Sequence, residues 1–217
     1  MRRTTTFLTS TVGRKMIMAL SGLFLASFLI VHLTINLFLL KADAGREFDA
    51  YAEFMAKYPL VRPLEIVLFA GFLLHAVIGI WLWLMNRRAR PVKYHLHKMS
   101  ETSDLSSRVM WITGIGLAAF LVFHIQAFFI TSRFVTPERS MYEIVAEAFK
   151  NPLTDVVYIV ALFFLGYHLF HGFQSAFQTF GLRHARYKRL IDWVGAIFWL
   201  LIPLGFAAMP LYFYWGK

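Results

Sequence analysis

Four histidines stand at matched heights in apolar stretches of this chain. His32 lies nine residues before Lys41 and His124 nine before Arg133, while His75 lies thirteen after Arg62 and His168 thirteen after Asp155. At 1.5 Å per helical residue, the first two sit about 13 Å and the second two about 20 Å from one charged boundary. Imidazoles are costly in hydrocarbon, and ionisable groups placed there are functional by default. A lone intramembrane histidine often does no more than bond a neighbouring helix, but four in depth-matched pairs argue for ligation. The chain has no cysteine, which excludes disulfides, thiolate-held zinc, iron–sulfur ligation and C-x-x-C-H haem attachment. Two bis-histidine sites, His32 with His124 and His75 with His168, satisfy all four rings. Haem b suits such sites, as a flat macrocycle between helices with an imidazole on each face and small residues making room. Gly22, Gly71, Gly79, Gly114, Gly166 and Gly172 supply such surfaces.

The elements that must position these rings follow from composition. Of 217 residues, 59% are apolar and the mean hydropathy is +0.58, against about 45–50% apolar in soluble domains. A bilayer crossing needs about 20 mostly apolar residues. Five stretches qualify, roughly Met16–Leu40, Leu64–Met85, Val109–Thr131, Leu153–Phe177 and Leu190–Trp215. The first is longer than a signal-peptide core and reads as an uncleaved span. Pro59, Pro63 and Pro152 mark span entrances, where a missing N–H costs little; Pro203 and Pro210 predict a kink in the last span. The outer connections carry helical stripes of their own, Phe48, Tyr51, Ala52 and Met55 in one and Met141, Ile144, Val145 and Ala148 in the other. Ser140-x-x-Glu143 is a capping-box pattern opening the second. Both predict short helices along the outer interface.

An internal repeat underlies the matched heights. A shift of 92 carries Met18, Gly22, Phe28 and His32 onto Met110, Gly114, Phe120 and His124, with Ser21 onto Thr113. A shift of 93 carries Pro59, His75 and Gly79 onto Pro152, His168 and Gly172. The expected organisation is one transmembrane domain over 1–217, with two copies of a two-helix unit at about 14–85 and 106–178 and a fifth helix at about 190–215. The copies then share topology, related by an axis along the membrane normal. His171 has no counterpart, since Ile78 occupies its place; one turn from His168 it is an alternative ligand, but the repeat favours His168 and His171 reads as its polar neighbour. His95, His97 and His184 lie in basic inner segments and read as loop residues.

The net charge of +10 raises nucleic acid as a partner, and its distribution removes that reading. With the N-terminus inside, the inner segments hold fourteen lysines and arginines and the outer segments eight. The positive-inside rule thus places the N-terminus in the cytoplasm and Lys217 outside. No catalytic constellation appears: there is no phosphate loop, no nucleophile with a base and no mid-membrane carboxylate, which argues against a proton pump. Two other readings stay open on the residues alone. One is the haem b anchor of a hydrogenase or formate dehydrogenase; the other is a haem-free transporter or assembly protein whose histidines bind substrate or metal.

At Val31-His32-Leu33, His75-Ala76-Val77-Ile78-Gly79, Arg108 through Thr113-Gly114 to His124, and His168-Leu169-Phe170-His171-Gly172 on to Gln178-Thr179-Phe180-Gly181, the chain resembles a known family. This is the cytochrome b membrane subunit of succinate dehydrogenase and fumarate reductase, in its single-chain, five-helix, two-haem form. The resemblance covers nearly the whole chain. It implies an all-α membrane protein whose first four spans bind haem, anchoring a flavoprotein and an iron–sulfur subunit on the cytoplasmic face of a bacterial inner membrane. It implies electron exchange with a quinone (menaquinone or ubiquinone) and two haems b, the inner on His75 and His168 and the outer on His32 and His124. Dicarboxylate chemistry would lie outside this polypeptide. Ser21, Thr113, Arg14, Arg108, Gln174 and Arg183 are expected near the haem propionates. Asn36, Lys41, Tyr51, Glu65 and Gln126 are placed to line a quinone pocket as readily as to face lipid or hold loops.

Overall fold

The computed structural model describes residues 10–88 and 105–215; His95, His97, Arg2, Arg3, Arg90, Lys93, Lys98, Lys217 and the side chain of Arg108 lie outside them. Among the described residues every regular element is helical. Five helices are long and apolar enough to cross a membrane: Thr11–Leu40, Val61–Arg88, Val109–Val135, Pro152–Thr179 and Lys188–Trp215.

Local chemistry sets the helix ends. α1 (Thr11–Asn36) opens on Ser10, whose hydroxyl accepts from Gly13 N–H at 3.0 Å, satisfying one donor left over at every helix start. The turn after it passes through Ala44 and Gly45 with φ of 56° and 82°, and Asp43 then accepts from the N–H groups of Gly45 and Glu47 to start α2 (Arg46–Lys57). α3 (Val61–Arg88) carries Pro63 in its first turn, where the missing donor costs nothing. α4 (Leu105–His124) is the α-helical part of the third span. In α5 (Met141–Ala148) the predicted cap forms, with Ser140 Oγ accepting from Glu143 N–H at 3.1 Å. α6 (Pro152–Thr179) is capped by the Asn151 side chain. It ends in a Schellman motif: Gly181, at φ 71°, donates to Gln178 O, and Leu182 N–H reaches back to Phe177 O at 2.9 Å.

Two spans are not uniform α-helix. Beyond His124 the third span winds as a π-helix over Ile125–Val135, while α1 runs instead into a 3₁₀ turn at Leu37–Leu40. A π turn holds more residues than an α turn and a 3₁₀ turn fewer, so the extra residue separating the shift of 92 from that of 93 has a place after His124. Equal residue counts outward from His32 and His124 therefore do not give equal heights. In the fifth span, α7 (Lys188–Ala196) passes through π-helical Ile197–Leu201 into α8 (Ile202–Trp215). Of the two prolines expected to kink this span, Pro203 follows the π-helical turn, while the α-helix runs on through Pro210. Pro203 offers no N–H to the Trp199 carbonyl, and the helix widens in the turn before it.

The first four spans form a ring. The first packs against the second and fourth, and the third against the second and fourth; the fifth lies against the first and fourth from outside. First and third spans thus face each other across the ring, as do second and fourth. The outer end is closed by the apolar stripes of α2 and α5. Phe48, Ile144, Val145 and Phe149 are buried with Leu39, Phe128, Tyr158 and Met209, and Asp49 Oδ1 accepts from Tyr142 N–H at 2.8 Å to tie the two short helices together. Tyr51, by contrast, is exposed and stacks on Phe38.

Candidate functional site

Across the ring, the histidines meet in two pairs. His32 and His124 lie with ring centroids 5.8 Å apart and planes at 88°; His75 and His168 lie at 6.1 Å and 66°. A metal–imidazole bond is about 2 Å, so two imidazoles sharing one ion lie roughly 6 Å apart centre to centre. Both pairs have that spacing. Among the described residues no group of three or more histidine, aspartate or glutamate side chains gathers at one point. The donor set is therefore two nitrogens per level, which suits a group bringing its own equatorial ligands better than a bare tetrahedral ion.

The second nitrogen of each ring has a partner. His75 Nδ1 lies 3.1 Å from Ser21 Oγ, and His168 Nδ1 lies 3.3 Å from Thr113 Oγ1. In the outer pair, His124 Nδ1 lies 2.8 Å from the Tyr158 hydroxyl, and Asn36 Nδ2 approaches His32 Nδ1 at 3.4 Å while donating to His32 O at 2.7 Å. Aromatic rings wall the outer pair, with Phe28 and Phe206 on His32 and Phe120 and Phe128 on His124.

The glycines serve the histidines and the helix contacts. A Cβ on Gly22 would stand 3.1 Å from His75 Cε1, and one on Gly114 3.6 Å from His168 Cε1. Gly79 and Gly172 face the methyls of Met18 and Met110, Gly71 faces Phe24, and Gly166 faces the Trp199 carbonyl. Ser21 and Thr113 sit on imidazoles, and Arg14 and Arg183 have partners elsewhere. Arg14 stacks on Trp81 at 4.1 Å and donates to Met85 Sδ at 2.8 Å, and Arg183 reaches Asp192 at 3.4 Å. Gln174 is half-buried on α6.

Of the residues weighed for a quinone pocket, Glu65 holds Arg133 in a two-pronged pair at 2.8 and 2.9 Å. Lys41 pairs with Glu47, Tyr51 stacks on Phe38, Asn36 belongs to His32, and Gln126 is exposed. Lys41 also lies 4.7 Å over the same Phe38 ring. His171 lies one turn from His168 and is half-buried; His184 is exposed, its Nδ1 accepting from Arg186 N–H. Tyr158 is the site residue that sequence reasoning missed. Its place in the first copy is Glu65, so the repeat gives no sign of it.

The fold and site define a helical membrane protein with facing pairs of imidazoles inside a bundle. The family model of the succinate dehydrogenase/fumarate reductase transmembrane subunit matches residues 86–204, more than half of the chain. The chain belongs to that family, and it is a multi-pass membrane subunit of the oxidoreductase complex. The matched stretch includes His124 and His168; His32 and His75 precede it. No curated protein and no solved structure matches the chain.

Proposed function

We propose that the chain is the cytochrome b subunit through which electrons pass between an iron–sulfur subunit and membrane quinone, holding two haems b on His32 with His124 and on His75 with His168. The observation that carries this reading is the spacing of the two imidazole pairs, 5.8 and 6.1 Å, each drawn from opposite corners of the ring. Haem, when bound, supplies one-electron transfer at iron within an apolar interior. The chain's own part is mechanical and electrostatic. Each level takes one imidazole from each two-helix copy, so the bundle must stay closed for either site to exist. Phe28, Phe120, Phe128 and Phe206 exclude water from the outer pair.

The flavoprotein and iron–sulfur subunits dock on the cytoplasmic face, and the inner pair is the nearer to them. This follows if the basic inner segments are cytoplasmic. The chain has no native cysteine, so a single cysteine placed at Glu138 or at His184 gives a clean orientation test. A membrane-impermeant thiol reagent should label the first from outside intact cells and the second only after lysis.

The function itself is tested on the purified complex. A reduced-minus-oxidised spectrum should show b-type bands at two haems per chain, together with succinate–quinone electron transfer. A spectrum without them would overturn the reading and favour the haem-free alternative. The same bands with hydrogenase or formate dehydrogenase subunits copurifying would reassign the complex.

A further inference from the structure

We infer that Ser21 and Thr113 are positioning residues for the inner histidines: each accepts the Nδ1 proton of the ring beside it, fixing the ring to ligate through Nε2 and holding down the potential of the inner haem. The inference rests on the bis-histidine reading above. Ser21 and Thr113, 8% and 5% exposed, are the buried polar side chains among the described residues apart from Tyr158. They are repeat equivalents on different spans, and each touches the inner histidine of its own copy.

The bis-histidine reading, together with a second partner for each hydroxyl, sets which way the hydrogen bond runs. Ser21 Oγ donates to Met18 O at 3.1 Å, and Thr113 Oγ1 donates to Met110 O at 3.0 Å, the back-bond that Ser and Thr make inside helices. A hydroxyl has one proton. A neutral ring that ligates through Nε2 carries its hydrogen on Nδ1, so each hydroxyl meets the ring with a lone pair and its own proton has the carbonyl as partner. Nδ1–H then donates and Nε2 is left as the free base. The next residue completes the seat: Gly22 and Gly114 leave bare Cα positions against Cε1 of the same rings, the carbon between the two nitrogens. The outer rings have no such seat, since Tyr158 and Asn36 are their partners.

An acceptor on the distal N–H of a ligating imidazole raises the ring's basicity, which stabilises oxidised over reduced iron and lowers the potential. Removing the acceptor should therefore raise it. The test is a potentiometric titration of the b-type bands in the full complex, with haem-to-protein ratio measured alongside. The inner haem is identified as the one lost in His75→Ala. Ser21→Ala and Thr113→Val should each move the inner midpoint to more positive potential, further in the double variant, with the outer midpoint unmoved. Ser21→Thr and Thr113→Ser keep a hydroxyl and should keep the wild-type value. Loss of the inner haem from Ser21→Ala that Ser21→Thr restores also supports the assignment, because packing alone would not depend on the hydroxyl. Loss in both overturns it, as does an unmoved inner midpoint or an equal movement of both. Wild-type complex without b-type haem would instead sink the bis-histidine reading itself.

Discussion

At the residue scale, the two histidine levels are supported by different chemistry, and the difference is measurable. The inner rings face alcohols that also bond a carbonyl of their own helix, whereas His124 faces a phenol 2.8 Å away and His32 faces the side-chain amide nitrogen of Asn36. If His124 ligates through Nε2, its Nδ1–H donates to the phenol, and Tyr158→Phe removes that acceptor from one outer ring only. We expect the outer midpoint to rise and the inner to stay, the mirror of the Ser21 result; an unmoved outer midpoint would mean that the phenol only fills space. A second residue-scale prediction lies outside the spans. The carboxyl of Asp43 is held below its ordinary 3.8, first by the N–H of Glu47 and also by that of Gly45 and the charge of Arg46. A carboxyl with a depressed folded value contributes its stabilisation at pH above 3.8 and loses it as pH falls through that lower value. Amide exchange in α2 should therefore quicken at acid pH more than its intrinsic rate accounts for. Asp43→Asn keeps the cap without a titrating group and should flatten the dependence. Persistence of the acid-induced opening in that variant would assign it to another group.

At the element scale, the glycines of the fourth span separate a backbone contact from a side-chain one. A Cβ on Gly166 would stand 3.0 Å from the Trp199 carbonyl, in the widened turn that Pro203 leaves behind, and backbone on both sides has little room to give. Gly166→Ala should cost about 1–3 kcal/mol, the range for overpacking, read as a lower denaturant midpoint in micelles. Gly172→Ala, whose Cβ would meet the flexible Met110 methyl at an ordinary 3.5 Å, should stay within about 0.5 kcal/mol of wild type. Equal effects from the two would show that the fifth span yields. The same elements show what was legible in sequence. Span number, the Ser140 cap, Pro152 at a helix start and the outer helices followed from composition and local chemistry, because each depends on residues a few positions apart. The π-helix after His124 and the one before Pro203 did not, because no residue type demands a wide turn and only packing across the bundle selects it. The glycines were legible as small surfaces near the histidines, but which neighbour each one meets, His75 for Gly22, His168 for Gly114 and the Trp199 carbonyl for Gly166, depends on helix rotation, which height alone does not give. Tyr158 and the Glu65–Arg133 pair were invisible for a related reason. Glu65 and Tyr158 occupy the same place in the two copies and differ there, and a repeat reveals only what it repeats.

At the scale of the whole molecule, the claim to test is that each site is shared between the two copies rather than owned by one. Within a copy, His32 and His75 stand at different heights on adjacent spans, and their partners His124 and His168 belong to the other copy. Loss of one ligand from a bis-histidine site empties it or leaves it weakly held, so the four histidines act as two units and not four. Single alanine variants at His32 or at His124 should each leave one haem per complex. The pair His32→Ala with His124→Ala should again leave one, because both changes fall on one site. The pair His32→Ala with His75→Ala strikes both sites from a single copy and should leave none, with His124→Ala and His168→Ala giving the same result from the other. The readout is the haem-to-protein ratio, taken on complexes that elute as the intact assembly so that misfolded material is set aside. Had each copy built its own site, the outcomes would exchange places: His32→Ala with His75→Ala would keep one haem, and His32→Ala with His124→Ala would keep none. The ring arrangement favours the first pattern, since the rings that approach within 5.8 and 6.1 Å are those across the bundle.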